Sequence, residues 1–360
     1  MDGRSPVPGR RDIPAVQYLR AVAALMVVWH HAAGQVPGMA AFVPSSFGTS
    51  GVDLFFAISG FIMVVTTSGK PVGALEFWRR RIVRVVPLYW LLTLAMVMAA
   101  LLAPALFKTL KVEPATLLQS LFFVPHFSRS FPDQAWPLLV PGWTLNFEMF
   151  FYACFGAALL LPVWLRLVVL TAGLVLAVAA GSVAGPFASA AARTYTHPML
   201  LEFAVGMWIG VAWLHRRLQF PFVAALAMLV TGSALLVSRE LPGPAYLAQI
   251  AGAGLVLAGA LHERFAAWHL RVWHAIGDSS YSLYLTHVFT LGAMRVLWSR
   301  FFEDAPGAGA TAAFMVAALA ACAAVGWLSY RWLEQPLLRL FNGPRPPIGS
   351  GVGYGASPTR

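Results

Sequence analysis

The chain has 360 residues, of which 59% are hydrophobic and only 11% charged, and its mean hydropathy is +0.71. Soluble domains carry roughly 25% charged residues, so this composition excludes a soluble fold and points to an all-α polytopic integral membrane protein. The formal net charge of +11 would suit nucleic acid only if the cations shared one solvated face. Most of the arginines instead sit in short stretches between apolar segments, which excludes a nucleic-acid partner and turns the charge into information about topology.

Arg4, Arg10 and Arg11 precede the first apolar run in the manner of a signal peptide. That run contains Arg20 and ends in His30 and His31, a poor cleavage context, so it reads as an uncleaved first span following a cytoplasmic segment at 1–14. Crossing a bilayer core of roughly 30 Å takes about 20 helical residues. On that measure ten spans are expected, near 15–35, 51–68, 88–107, 143–162, 166–184, 198–214, 220–238, 244–261, 279–299 and 311–333. Residues 15–340 then form one ten-helix membrane domain. The Gly-, Pro- and Ser-rich stretch 341–360 is expected to be a disordered cytoplasmic tail.

Lysine and arginine should accumulate in alternate loops, on the cytoplasmic side. With the N-terminus inside, the cytoplasm receives Arg4, Arg10, Arg11, Lys70, Arg79, Arg80, Arg81, Arg84, Arg166, Arg216, Arg217, Arg264, Arg271, Arg331, Arg339, Arg345 and Arg360. The outer loops receive only Lys108, Lys111, Arg129, Arg193, Arg239 and Arg300. A miscounted span would scramble this asymmetry. It therefore predicts an even number of spans, with both termini cytoplasmic.

Polar residues inside spans are the informative minority, because charge at bilayer depth is costly and faces a protein interior or an aqueous cavity. From Arg20 to His31 a helix makes three turns plus about 20°, so both lie on one face, roughly 16 Å apart. His30 points about 100° away from His31. The same topology puts His31, Asp53, Glu148 and Glu202 in the outer half, where they form either an ion-pair network that fixes packing or a site. Tyr152 lies one turn after Glu148. In "DSSYSLYLTHV", Ser280, Tyr284 and His287 form a polar stripe suited to gluing helices together or to lining a passage.

The strongest charge run is "FWRRRIVRVVPLYW", residues 77–90. Arg81 and Arg84 share a helical face, with Arg80 adjacent to Arg84. Their planar donors suit phosphate, whether on an anionic lipid headgroup or on a soluble ligand. Pro87 is expected to separate this interfacial helix from span three. Cys154 and Cys322 lie within apolar segments, without CxxC or metal-ligand spacing, so no metal site is expected.

"YLRAVAALMVVWHHA", "GVDLFFAISGFIM", "FWRRRIVRVVPLYW", "WTLNFEMFFY", "IGDSSYSLYLTH" and "WLEQPLLR" together resemble the membrane-bound acyltransferase 3 family, in order from about residue 13 to 340. Members of that family O-acylate bacterial exopolysaccharides, O-antigens and related carbohydrates. "GVDLFFAISGFIM" is similar to the exopolysaccharide acetyltransferase branch. The family's arginine, ten intervening residues and histidine correspond to Arg20 and His31. Its paired-arginine loop corresponds to Arg81 and Arg84, and its span-four carboxylate to Glu148.

The resemblance implies a bacterial inner-membrane O-acyltransferase with no tightly bound cofactor. Acyl-coenzyme A, chiefly acetyl-CoA, would be its co-substrate and a cell-surface or lipid-linked carbohydrate its acceptor, with membrane lipids around it. Arg80, Arg81 and Arg84 would bind the donor from the cytoplasm. His31 would serve as general base or as transient acyl carrier, oriented by Glu148, with Arg20 positioning the thioester or stabilising negative charge. Asp53, Tyr152, Glu202, Ser280, Tyr284 and His287 would line the pocket or bind acceptor, and the outer loop at 108–142 would contribute His126, Arg129, Asp133 and Trp136. The alternative is a polytopic secondary transporter, although the sequence shows no inverted repeat.

Overall fold

A computed structural model describes residues 13–35, 46–69, 72–105, 107, 110–238, 245–301 and 307–342. Most of the expected N-terminal segment and tail, and Lys70, Lys108, Arg239, Arg345 and Arg360, lie outside the described residues. Among those described there is no strand. The helices are α1 (Pro14–Ala33), α2 (Ser46–Thr67), α3 (Ala74–Leu102), α4 (Pro114–Leu121), α5 (Gly142–Ala158), α6 (Val163–Ala184), α7 (Ala190–Tyr195), α8 (Leu200–Leu214), α9 (Phe222–Val237), α10 (Ala245–Ala260), α11 (Glu263–Ala266), α12 (Arg271–Asp278), α13 (Ser280–Trp298), α14 (Ala308–Ser329) and α15 (Gln335–Asn342). A π-helical turn, Tyr330–Glu334, joins the last two.

Five helical stretches are long and apolar enough to cross a membrane: Phe47–Thr67, Ala74–Leu102, Val163–Ala184, Ala190–Leu214 and Ala308–Asn342. Phe222–Val237 and Tyr246–Ala260 are shorter apolar helices. Helices α1, α5 and α13, which carry most of the polar groups singled out above, are not among the five.

The sequence predicts a break at Pro87, but the proline lies inside an uninterrupted α3 of 29 residues. A proline inside a membrane helix is tolerated where neighbouring groups satisfy nearby backbone. Pro87 takes the helical donor from the Val83 carbonyl, and the Tyr281 hydroxyl donates nearby, to the Val85 carbonyl at 2.7 Å. At 1.5 Å per residue α3 is about 43 Å long, more than a roughly 30 Å bilayer core needs, so the arginine run continues the span directly.

Helix α2 forms the centre, packed against α1, α8, α10 and α5. Its closest approach is to α8. A methyl group on Gly60 would sit 2.0 Å from the Phe203 carbonyl oxygen, and one on Gly206 would sit 1.9 Å from that of Ala57. Only glycine lets the two backbones meet there, the small-residue packing usual between membrane helices. Around this contact Phe56, Phe147, Phe151 and Phe203 stack into an aromatic core.

Candidate functional site

Helices α1, α2, α3, α5 and α13 line a partly open cavity of about 150 Å³. Arg20, Arg81, Arg84, Glu148, Tyr152, Ser280 and Tyr284, all singled out in the sequence, line it together with Ser59 and Tyr281. Arg20 reaches in from α1, where its Nε donates to Ser280 Oγ at 3.1 Å. Against it, the Tyr152 hydroxyl donates to Glu148 Oε1, and Ser59 Oγ donates to the same oxygen at 3.3 Å. The i, i+4 spacing on α5 brings carboxylate and phenol together.

On α3 the three arginines part company. The Arg81 guanidinium lies 5.8 Å from the Tyr152 ring centre and 5.6 Å from that of Phe77, a cation–π arrangement. Arg84 pairs with Glu334, a buried carboxylate that also accepts from Ser282 Oγ at 2.5 Å. Arg80 does not line the cavity; it pairs with Glu76 across an exposed turn of α3. The cavity lining holds three arginines and one carboxylate, Glu148, while Glu334 pairs with Arg84 behind it and Asp278 lies near Arg20. Positive charge enclosed by apolar helices concentrates anionic ligands.

His31 lies at the other end of the α1 stripe and is outside the cavity lining. Its ring packs on that of His287, with centres 4.8 Å apart, and Tyr284, which does line the cavity, has its ring 6.0 Å from His287. Because Arg20 meets Ser280 and His31 meets His287, α1 and α13 run side by side in the same direction. The Nδ1 of His31 is 2.9 Å from the Val27 carbonyl oxygen. A carbonyl only accepts, so Nδ1 carries the hydrogen and Nε2 holds a lone pair in the neutral ring. His30 packs instead toward Gly48, where an added methyl would overlap its Cβ.

The expected meeting of His31 with Glu148 does not occur. Glu148 bonds to Ser59 and Tyr152, and the His31 ring is oriented by Val27. The sequence placed Glu148 in the outer half by counting five residues into a span that begins at the surface. Helix α5 begins inside the protein: Leu138 and Leu139 before it are buried, and the Tyr284 hydroxyl bonds to the Pro141 carbonyl at 3.2 Å and to Thr144 at 2.9 Å. The count therefore starts deep, and Glu148 arrives at the arginine end.

Asp53 and Glu202 are buried on α2 and α8 without lining the cavity, and His287 is buried behind Tyr284. In the segment between α3 and α5 Arg129 is held by Glu113 at 2.9 Å, His126 bonds to the Val124 carbonyl, and Trp136 packs on Phe131. Sequence reasoning missed Ser59, Tyr281, Ser282 and Glu334. The carboxylate of "WLEQPLLR" was visible, but a π turn adds a residue per turn, and it rotates Glu334 inward while Trp332 and Leu333 stay exposed.

A family model described as an acyltransferase domain matches residues 13–330. The chain is 40% identical to the exopolysaccharide production protein ExoZ of Rhizobium meliloti (strain 1021), over 84% of this chain and 94% of that protein. It is 26% identical to the acyltransferase MdmB of Streptomyces mycarofaciens, over 93% of this chain and 94% of that protein. No solved structure matches.

Proposed function

This chain belongs to the acyltransferase 3 family, and from that premise we propose that it moves an acetyl group from cytoplasmic acetyl-CoA to a hydroxyl of a cell-surface or lipid-linked carbohydrate. The carbohydrate acceptor follows the exopolysaccharide production protein to which the chain is 40% identical. The observation that carries the reading is one cavity in which Arg20, Arg81 and Arg84 face Glu148, walled at one end by Tyr284, beyond which lie the imidazoles of His287 and His31. The reading includes ten spans in the bacterial inner membrane with both termini cytoplasmic. Each of the ten apolar segments coincides with a helix, and the cationic end of the cavity then faces the compartment that holds the donor.

In this scheme Arg81 and Arg84 attract the donor's phosphates as planar cations. The acyl arm passes Tyr284 toward α1. Arg20, bonded to Ser280 two turns of α13 before His287, adds a third cation along the donor's path and positions the arm whose thioester reaches on toward His31. A sugar hydroxyl is a poor nucleophile near neutral pH, and the His31 Nε2 lone pair takes its proton as it attacks. Glu148 holds Tyr152 and Ser59 as part of the cavity wall.

A deletion strain should lose acetyl ester from a surface polysaccharide, and purified protein should transfer radiolabelled acetyl from acetyl-CoA to that glycan. Donor alone distinguishes the two chemical routes. Label bound covalently to His31 without acceptor means two-step transfer, and its absence in an enzyme that turns over means direct transfer. Accumulation of substrate in proteoliposomes without acyl transfer would instead favour the transporter.

A further inference from the structure

His287 sits where the acyl-transfer scheme leaves it without a task. Its ring lies 4.8 Å from that of His31, tilted by 55°, and the residue is fully buried. Its Nδ1 is 2.6 Å from the Tyr284 carbonyl oxygen. As in His31, a carbonyl partner puts the hydrogen on Nδ1. Both neutral rings therefore present Nε2 as a lone pair. The Nε2 of His287 is buried without a hydrogen-bond partner, an arrangement that is unfavourable when nothing repays it. Plain packing would be served by Leu or Phe, which leave no acceptor unsatisfied.

We propose that His287 is a second base that shares the proton His31 removes from the acceptor hydroxyl. The inference rests on the acyl-transfer reading above. As the acceptor O–H bond breaks, a new bond forms between that oxygen and the acyl carbon, and the carbon–sulfur bond to coenzyme A breaks. The proton passes to His31 Nε2, is shared with His287 Nε2, and ends on the departing thiolate sulfur. Before transfer the two lone pairs offer each other nothing. Once one proton arrives, one ring offers a donor and the other an acceptor; with ring centres 4.8 Å apart, a turn of the rings brings the two nitrogens together, and the orphaned nitrogen of His287 gains its first partner. Around the pair stand His30, its ring 5.2 Å from His31, and Tyr284, its hydroxyl engaged by Thr144 and Pro141. Glu148 is committed to Tyr152 and Ser59, so the imidazole pair keeps the proton without a carboxylate.

The test uses full-length protein in lipid nanodiscs with ¹⁵N-labelled histidine. A through-hydrogen-bond coupling between the two Nε2 atoms at acidic pH is expected in the wild type. It should vanish in His287→Asn, whose amide keeps the Nδ1-type donor to Tyr284. In acetyl transfer the same variant should lower kcat at least tenfold and leave KM for acetyl-CoA within twofold; His287→Gln serves where the Asn variant inserts poorly. No coupling in the wild type, or kcat in both variants within twofold of wild type, overturns the proposal. Coupling present in a wild-type protein that transfers no acetyl group would sink the acyl-transfer reading while leaving the shared proton standing.

Discussion

Arg20 Nε and Ser280 Oγ meet at 3.1 Å across 260 residues of sequence. The pair joins α1 to α13 at the arginine end of the cavity, as the rings of His31 and His287 join the same helices three turns further along α1 and two along α13. The guanidinium has a second role as the one cation that α1 contributes to the cavity lining. Arg20→Lys keeps the charge and loses the planar fork, so acyl transfer is expected to fall at least tenfold at normal membrane abundance. Ser280→Ala removes one neutral partner and should cost only a few fold, about what one hydrogen bond of roughly 1 kcal/mol implies. Initial rates with labelled acetyl-CoA check both, and equal losses in the two variants would contradict the division of labour.

The adjacent imidazoles of α1 give a second contrast. His31→Ala should lower transfer by about 10²–10⁴-fold, the range for a positioned general base. His30 packs toward Gly48 and has its ring perpendicular to that of His31. His30→Ala should retain most activity and lose some thermal stability through the space it vacates. Acetyl ester measured per unit of membrane protein separates the two, and a larger loss at position 30 would overturn the assignment.

Much of this was legible in the sequence because helical phase is a local property. Arg20 and His31 share a stripe, Glu148 and Tyr152 lie one turn apart, and Ser280, Tyr284 and His287 form a face; the structure keeps all three relations. What failed was depth. Counting from an assumed surface put Glu148 beside His31, because nothing in the sequence says that the segment before α5 is buried against Tyr284. Phase also failed where the helix changed type, since only the π turn brings Glu334 to Arg84. The break expected at Pro87 was a sound local rule, but α3 continues through it and Tyr281 bonds to nearby backbone.

Packing of α2 on α8 yields a stability prediction independent of chemistry. Gly206→Ala would place its methyl 1.9 Å from the Ala57 carbonyl oxygen, and backbone on a packed helix cannot yield as a side chain can. Overpacking of this kind costs about 1–3 kcal/mol, so thermal stability and membrane abundance should both fall. Gly173→Ala on α6 meets nothing within 4 Å and should leave both measurements unchanged or raise them slightly through helix propensity. Unfolding in detergent, followed by intrinsic fluorescence, compares the two; equal melting temperatures would refute the close approach.

The Arg84 and Glu334 ion pair predicts an asymmetry between its two halves. The Glu334 side chain is 1% exposed, whereas that of Arg84 is 29% exposed. Removing Arg84 strands a buried carboxylate with Ser282 as its remaining hydrogen-bond donor. Removing the charge of Glu334 leaves a cation that can still turn toward water. Breaking a buried pair costs about 3–5 kcal/mol when one charge is left behind. Arg84→Met should approach that range, and Glu334→Gln should fall well below it. The double variant should recover part of the Arg84→Met loss, because no uncompensated charge remains. Melting temperatures of the three variants at one pH and salt concentration test this as a double-mutant cycle. Additive losses would mean that the two side chains do not interact energetically, and the tie between α3 and the π turn would then have to come from apolar packing alone.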